Sequence, residues 1–112
     1  MQGTHAQQSM QQCTQNCKEC HAICEQTLLY SLQKGGPFAQ ADHILALLDC
    51  IQTCQVSEDF MLRNSPLHPY MCGVCAEACQ RCAQFGNDQQ LQACAQACRS
   101  CAATCQQMAS TP

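Results

Sequence analysis

Three observations predict an all-α fold, an antiparallel up-down-up-down four-helix bundle with a Cys-lined core. Cysteine recurs at intervals of three and four. The stretches that carry it are rich in Ala, Gln, Leu, Met and Glu, and three turn signals cut them into four segments. Intervals of three and four place side chains on one face of an α-helix, and those residue types favour helix. No alternating strand pattern competes, and short connections favour antiparallel neighbours. At 112 residues the chain reads as one domain, 1–112.

The first helix is predicted over about 7–33 and carries Cys13, Cys17, Cys20 and Cys24. It stops at Lys34-Gly35-Gly36-Pro37, a helix-end and turn signal. The second, about 39–63, carries Cys50 and Cys54, with Ser57 next in the same stripe, and breaks at Asn64-Ser65-Pro66-Leu67-His68-Pro69. The third, about 69–84, carries Cys72, Cys75, Cys79 and Cys82. Phe85-Gly86 ends it, and Asn87 or Asp88 is the N-cap of the fourth. That last helix, about 88–108, carries Cys94, Cys98, Cys101 and Cys105. The remaining faces are Gln-rich (Gln7, Gln8, Gln11, Gln12, Gln89, Gln90, Gln96, Gln106, Gln107) and read as a soluble, uncharged surface.

Composition excludes several function classes. Charged residues are 12%, the formal net charge is −3 and there is no Trp, so nothing neutralises phosphates or stacks on bases, and nucleic acid is not a partner. No apolar run is long enough to span a membrane. The N-terminal MQGTHAQQSMQQC lacks the basic and apolar regions of an export signal, which makes the cytoplasm the expected compartment. Thiols stay reduced there, so fourteen Cys read as metal ligands in preference to disulfides. Within one helix, disulfide geometry is poorly met; cross-helix bridges are the competitor in an oxidised sample. A purely structural core of Cys would be underpacked, because Cys is small.

Among metals the pattern favours Cu(I). Zinc sites take four ligands each and their Cys-x-x-Cys knuckles sit on turns, whereas these pairs lie within continuous helix. Several tetrathiolate zinc sites would also bury unpaired negative charge, which is expensive. Cu(I) is soft, prefers thiolate and thioether, and at about one ion per thiolate leaves the core near neutral. Zinc or general soft-metal buffering is the alternative. No ferredoxin-type Cys run is present. Cys17-Lys18-Glu19-Cys20-His21 matches the haem attachment pattern, but it is embedded in a longer Cys stripe. His21 is then a surface residue or an extra ligand. A redox enzyme or thiol sensor would need an exposed, low-pKa Cys; Lys18, Arg81 and Arg99 flank cysteines but at outward positions. The expected role is therefore binding, without catalysis.

Extending the stripes in phase gives the two ends of the bundle different characters. One end collects Met10, Met61, His68 and Met108, all soft-metal ligands, with His5 and Met71 nearby but less well in phase. The other collects Leu28, Leu32, Leu47, Phe85 and Leu91, an apolar plug, with His43 expected as a solvated helix-end residue. The first end reads as a reversible reception site, because thioether and imidazole bind Cu(I) at neutral pH without losing a proton.

The runs Cys13-x3-Cys17-x2-Cys20-His21-x2-Cys24, Cys72-x2-Cys75-x3-Cys79-x2-Cys82 and Cys94-x3-Cys98-x2-Cys101-x3-Cys105 resemble the bacterial copper storage proteins, in their cytosolic branch, over nearly the whole chain. The resemblance implies a tetramer of four-helix bundles and Cu(I) held by all fourteen Cys. A copper chaperone is a candidate partner.

Overall fold

The structure is a computed structural model and describes residues 2–86 and 88–110, without the side chains of 2–6. Four helices are present, α1 (Gln2–Lys34), α2 (Ala41–Leu62), α3 (His68–Cys82) and α4 (Gln89–Ala109), and no strand among the described residues. Each helix packs on its sequence neighbours and α1 closes the ring against α4, giving a bundle 50 Å long. Cross-helix contacts run antiparallel throughout: Cys13 meets Cys105 and Cys24 meets Cys94, while Cys50 meets Cys79 and Cys75 meets Cys54.

The helix ends follow the punctuation, with shifts of a few residues. Gly35, at φ 71° and ψ −166°, takes a positive-φ conformation open essentially to Gly alone, which ends α1, and its N–H bonds the Ser31 carbonyl. Gly36–Ala39 then forms a 3₁₀ turn, which delays α2 to Ala41. Asn64, at φ 52°, ends α2, and the Ser65 N–H reaches back to the Phe60 carbonyl at 2.8 Å, the six-to-one bond of a Schellman motif. Pro69 sits in the first turn of α3, where its missing N–H costs nothing. Asp88 caps α4 by accepting the Leu91 N–H at 2.9 Å, worth about 1 kcal/mol. The same carboxylate accepts the Tyr30 hydroxyl, tying α1 to α4. Asn87, the other cap candidate, lies outside the described residues.

The core is sulfur. All fourteen Cys are buried, from 0 to 2% exposed, and none is in a disulfide. The apolar-plug expectation needs correction. Leu32 is 54% exposed and Leu28 only partly buried; Thr27 and Ser31 take the core positions at 0%. Alternating steps of four and three from Cys13 lead to 27 and 31, and choosing 28 and 32 adds an extra step of four that rotates out of phase. Leu47 and Leu91 are buried as expected, and Phe85 partly so. His43 is not solvated: it is 3% exposed, its ring stacks on Phe85 at 4.7 Å, and its Nδ1–H donates to the Phe38 carbonyl at 2.8 Å. The 3₁₀ turn folds that carbonyl over it. Gln90 is also not simple surface; half-buried, it donates to Thr27 Oγ1 at 3.1 Å.

Candidate metal centre

The four stripes meet in layers. The outermost thiol layer at one end is Cys13, Cys72 and Cys105, with buried Ser57 on the fourth side; Cys13 and Cys105 are 3.6 Å apart. Beneath it lie Cys17, Cys54, Cys75 and Cys101, with Cys101–Cys17 at 3.6 Å and Cys75–Cys54 at 3.7 Å. Next come Cys20, Cys50, Cys79 and Cys98, with Cys20–Cys50 at 3.6 Å, Cys20–Cys98 at 3.7 Å and Cys50–Cys79 at 3.5 Å. The last layer is Cys24, Cys82 and Cys94, with Cys24–Cys94 at 3.7 Å and Leu47 on the fourth side. Contacts also join layer to layer: Cys17–Cys105 at 3.7 Å, Cys54–Cys79 at 3.8 Å and Cys24–Cys98 at 3.8 Å. The sulfurs therefore form one connected column. Several sets of four lie within 4.8 Å of one another, and the sets overlap: Cys20, Cys50, Cys54 and Cys79 form one, while Cys20, Cys24, Cys50 and Cys98 form another.

Neighbouring sulfurs in this column cannot both be charged cheaply, and their proton affinities diverge. Hydrogen bonds from Cys24, then Cys82 and Cys98, hold the Cys94 thiol well below the ordinary thiol range. Cys24 is pushed well above it, first by Cys20 and then by Cys50, Cys82 and Cys94. Cys13 and Cys105 make a second such pair: Cys13 is lowered chiefly by Cys105, and Cys105 raised chiefly by Cys101. Each thiolate is thus stabilised by thiols that must keep their protons. A soft cation between the sulfurs replaces those protons and lifts the restriction.

The predicted mouth residues divide by exposure. Met61 and Met108 are 3% and 4% exposed and belong to the core, with Met10 partly buried against it. Thr14 donates to Met10 O at 2.7 Å and sits 3.8 Å from Met61 Sδ. His68 is half-buried and its Nδ1–H donates to the Ser65 carbonyl at 2.9 Å, which leaves Nε2 as the ring's lone-pair donor. Met71 is half-buried and its carbonyl accepts from Ser57 at 3.4 Å. The His5 side chain lies outside the described residues. His21 sits beside the column, its Nε2 3.5 Å from Glu25. Lys18 and Arg81 point outward to Glu58 and Glu77, and Arg99 to Gln96, so none of these cations touches a thiol. Sequence reasoning missed Thr27, Ser31 and the burial of His43; the unbroken four-three alternation was the available signal.

Residues 6–110 match the family model of the copper storage proteins. The chain belongs to the copper storage protein family. Among solved structures, Nmul_A1745 from Nitrosospira multiformis is similar at a TM-score of 0.90 and 36% identity, over 94% of this chain and 98% of that one. The Cu(I)-bound copper storage protein BsCsp3 is similar at a TM-score of 0.84 and 27% identity, over 91% and 99%. An uncharacterised cysteine-rich protein of Bacillus subtilis, YhjQ, is 27% identical over 93% of this chain and 99% of its own length. As a member of this family the chain stores copper, and its overlapping thiol clusters provide for multiple Cu(I) ions.

Proposed function

We infer that all fourteen Cys are Cu(I) ligands along one column, and that Met10, Met61, His68 and Met108 receive the ion at the open end and pass it inward. The observation that carries this is the column of buried, free sulfurs, most of them linked by contacts of 3.5–3.9 Å, with Cys82 within 4.8 Å of Cys24, Cys94 and Cys98 and Cys72 beside Cys13 and Cys105. Each incoming Cu(I) displaces a thiol proton, so the core gains metal without gaining charge. Overlap of the thiol sets favours bridging thiolates, which suit two- and three-coordinate Cu(I) better than separate tetrahedral ions. The chain then acts as a single binding domain over 1–112, with no bond made or broken in a substrate.

A specific observation favours zinc as the competitor. With metal–sulfur bonds of about 2.3 Å a tetrahedral site has an edge of about 3.8 Å, close to the contacts seen here. Because the sets share members, however, zinc could fill only a few of them.

The remaining expectations are cytoplasmic location, a homotetramer and a copper chaperone as donor or acceptor. Free thiols on every Cys suit a reducing compartment. No helix among the described residues is long and apolar enough to cross a membrane. Exposed Leu29, Leu32, Leu45, Leu48, Tyr70 and Val74 lie on α1, α2 and α3, and no large exposed apolar residue lies on α4; that sided distribution supports copies covering one another.

Titrating the reduced apo-protein with Cu(I) against a competing chelator tests the reading. Many ions per chain are expected, with proton release on loading and an affinity that rises with pH, up to about tenfold per pH unit for each proton displaced. Saturation at one or two ions would overturn it, and tight zinc binding at about four thiolates per ion would favour the competitor.

A further inference from the structure

We propose that the copper held by Cys13, Cys72 and Cys105 is the exchangeable pool, and that Ser57, standing where a fourth thiol would be, makes it so. The inference rests on the storage reading above and adds a division of the stored metal into two populations.

Ser57 is the in-phase residue of α2 between Cys54 and Met61, and it is fully buried. Its hydroxyl donates to the Met71 carbonyl at 3.4 Å, on the turn that carries Cys72. That hydroxyl is a hard donor, engaged with backbone, and a poor ligand for a soft ion. An ion in this layer therefore has three thiols around it, whereas the next two layers offer four each. The shortage coincides with access. Met61 and Met108 lie directly above, and Met side chains rearrange readily. A shallow groove of about 440 Å³ lined by Met10, Thr14, Met61 and Leu62 opens beside them.

The opposite end supplies the internal comparison. Cys24, Cys82 and Cys94 also form a three-thiol layer, with Leu47 in the fourth place. There Leu47 and Leu91 are buried, and His43 and Phe85 stack over them. An ion in that layer can draw on Cys98 of the next layer as a fourth thiol, since Cys24, Cys82, Cys94 and Cys98 lie within 4.8 Å of one another, and it has no route out. Only at the Ser57 end do few ligands and an exit occur together. Release there is a ligand exchange: the acceptor's donors replace sulfur on Cu(I), each freed thiolate takes a proton from water, and the copper stays monovalent.

Anaerobically loaded protein, its copper-to-protein ratio measured first, is mixed with excess bathocuproine disulfonate and Cu(I) transfer is followed by absorbance. Two phases are expected. Ser57→Cys is expected to raise capacity and slow the fast phase about tenfold, the factor given by about 1.4 kcal/mol of added binding, with the slow phase unchanged. Leu47→Cys is expected to raise capacity without altering the fast phase. Ser57→Ala, which removes the hydroxyl and adds no ligand, is expected to leave both phases as they are. A single phase in the parent protein, an unchanged fast phase in Ser57→Cys, or equal slowing in Leu47→Cys overturns the proposal. A loaded ratio of one or two ions instead overturns the storage reading, before any chelator is added.

Discussion

The two ends of this bundle are built on the same four stripes and differ in what replaces sulfur. At one end the stripes run out into Met10, Met61, His68 and Met108, soft donors on flexible or half-buried side chains. At the other they run out into Thr27, Ser31, His43, Leu47 and Leu91, all buried. Thioether and imidazole are donors that suit a soft ion, and Met side chains rearrange readily. The second set is held by fixed contacts: Gln90 on Thr27, Phe38 on His43 and the Phe85 stack. Stripe termini therefore set direction in an otherwise symmetric column, and closure at the far end comes from ordered polar contacts as much as from apolar filling.

The sharpest way to break this comparison is at the mouth. Replacing Met10, Met61 and Met108 together by Leu keeps volume and costs less than about 1.5 kcal/mol per site, yet removes the three thioethers that continue the stripes above Cys13, Cys72 and Cys105. Stopped-flow Cu(I) loading should slow about tenfold, equivalent to about 1.4 kcal/mol on the barrier, with final capacity unchanged. An unchanged rate would show that the ion reaches the thiols by another path.

The far end is tested next, through stability. His43→Leu removes the donor to the Phe38 carbonyl and the stack on Phe85. Leaving the part-buried Phe38 carbonyl without its donor costs at most about 1–3 kcal/mol and the lost aromatic contact about 1 kcal/mol, partly offset by the apolar gain. We expect a net loss of about 2 kcal/mol in urea unfolding of the reduced apo-protein, with the loading rate unaltered. A slower loading rate would mean that copper also passes through this end.

How much of this was legible in the sequence differs between the column and its ends. The Cys periodicity is a repeated local signal: every helix states it independently, so the shared core follows from spacing, while the antiparallel arrangement that pairs Cys13 with Cys105 and Cys24 with Cys94 follows from the short connections. The burial of Met61 and Met108 was legible because both continue the Cys stripes in phase. The far end was misread because composition and phase disagree there. Leu28 and Leu32 are the apolar residues, while phase points to Thr27 and Ser31, and polarity argued against burying those two. Phase prevailed because each small hydroxyl fits a column made narrow by Cys, and Gln90 satisfies Thr27 from a helix distant in sequence. His43 also lies in phase with Leu47 and Cys50, so its burial was legible from the alternation, whereas its partner carbonyl, presented by the 3₁₀ turn, was not.

Ser31 isolates that conflict at a single atom. Its Oγ is buried and has no hydrogen-bond partner among the described residues, so the position carries a desolvated hydroxyl with nothing returned. Ser31→Ala keeps the size the narrow column requires, removes the orphan and improves helix propensity. It should therefore be neutral or stabilise the reduced apo-protein by up to about 1 kcal/mol in urea unfolding, where most buried substitutions destabilise. Ser31→Leu, which restores the apolar residue that composition favoured, should instead overpack the site and cost about 1–3 kcal/mol. If Ala destabilises and Leu does not, the far end is looser than its contacts imply and the hydroxyl has a partner of its own.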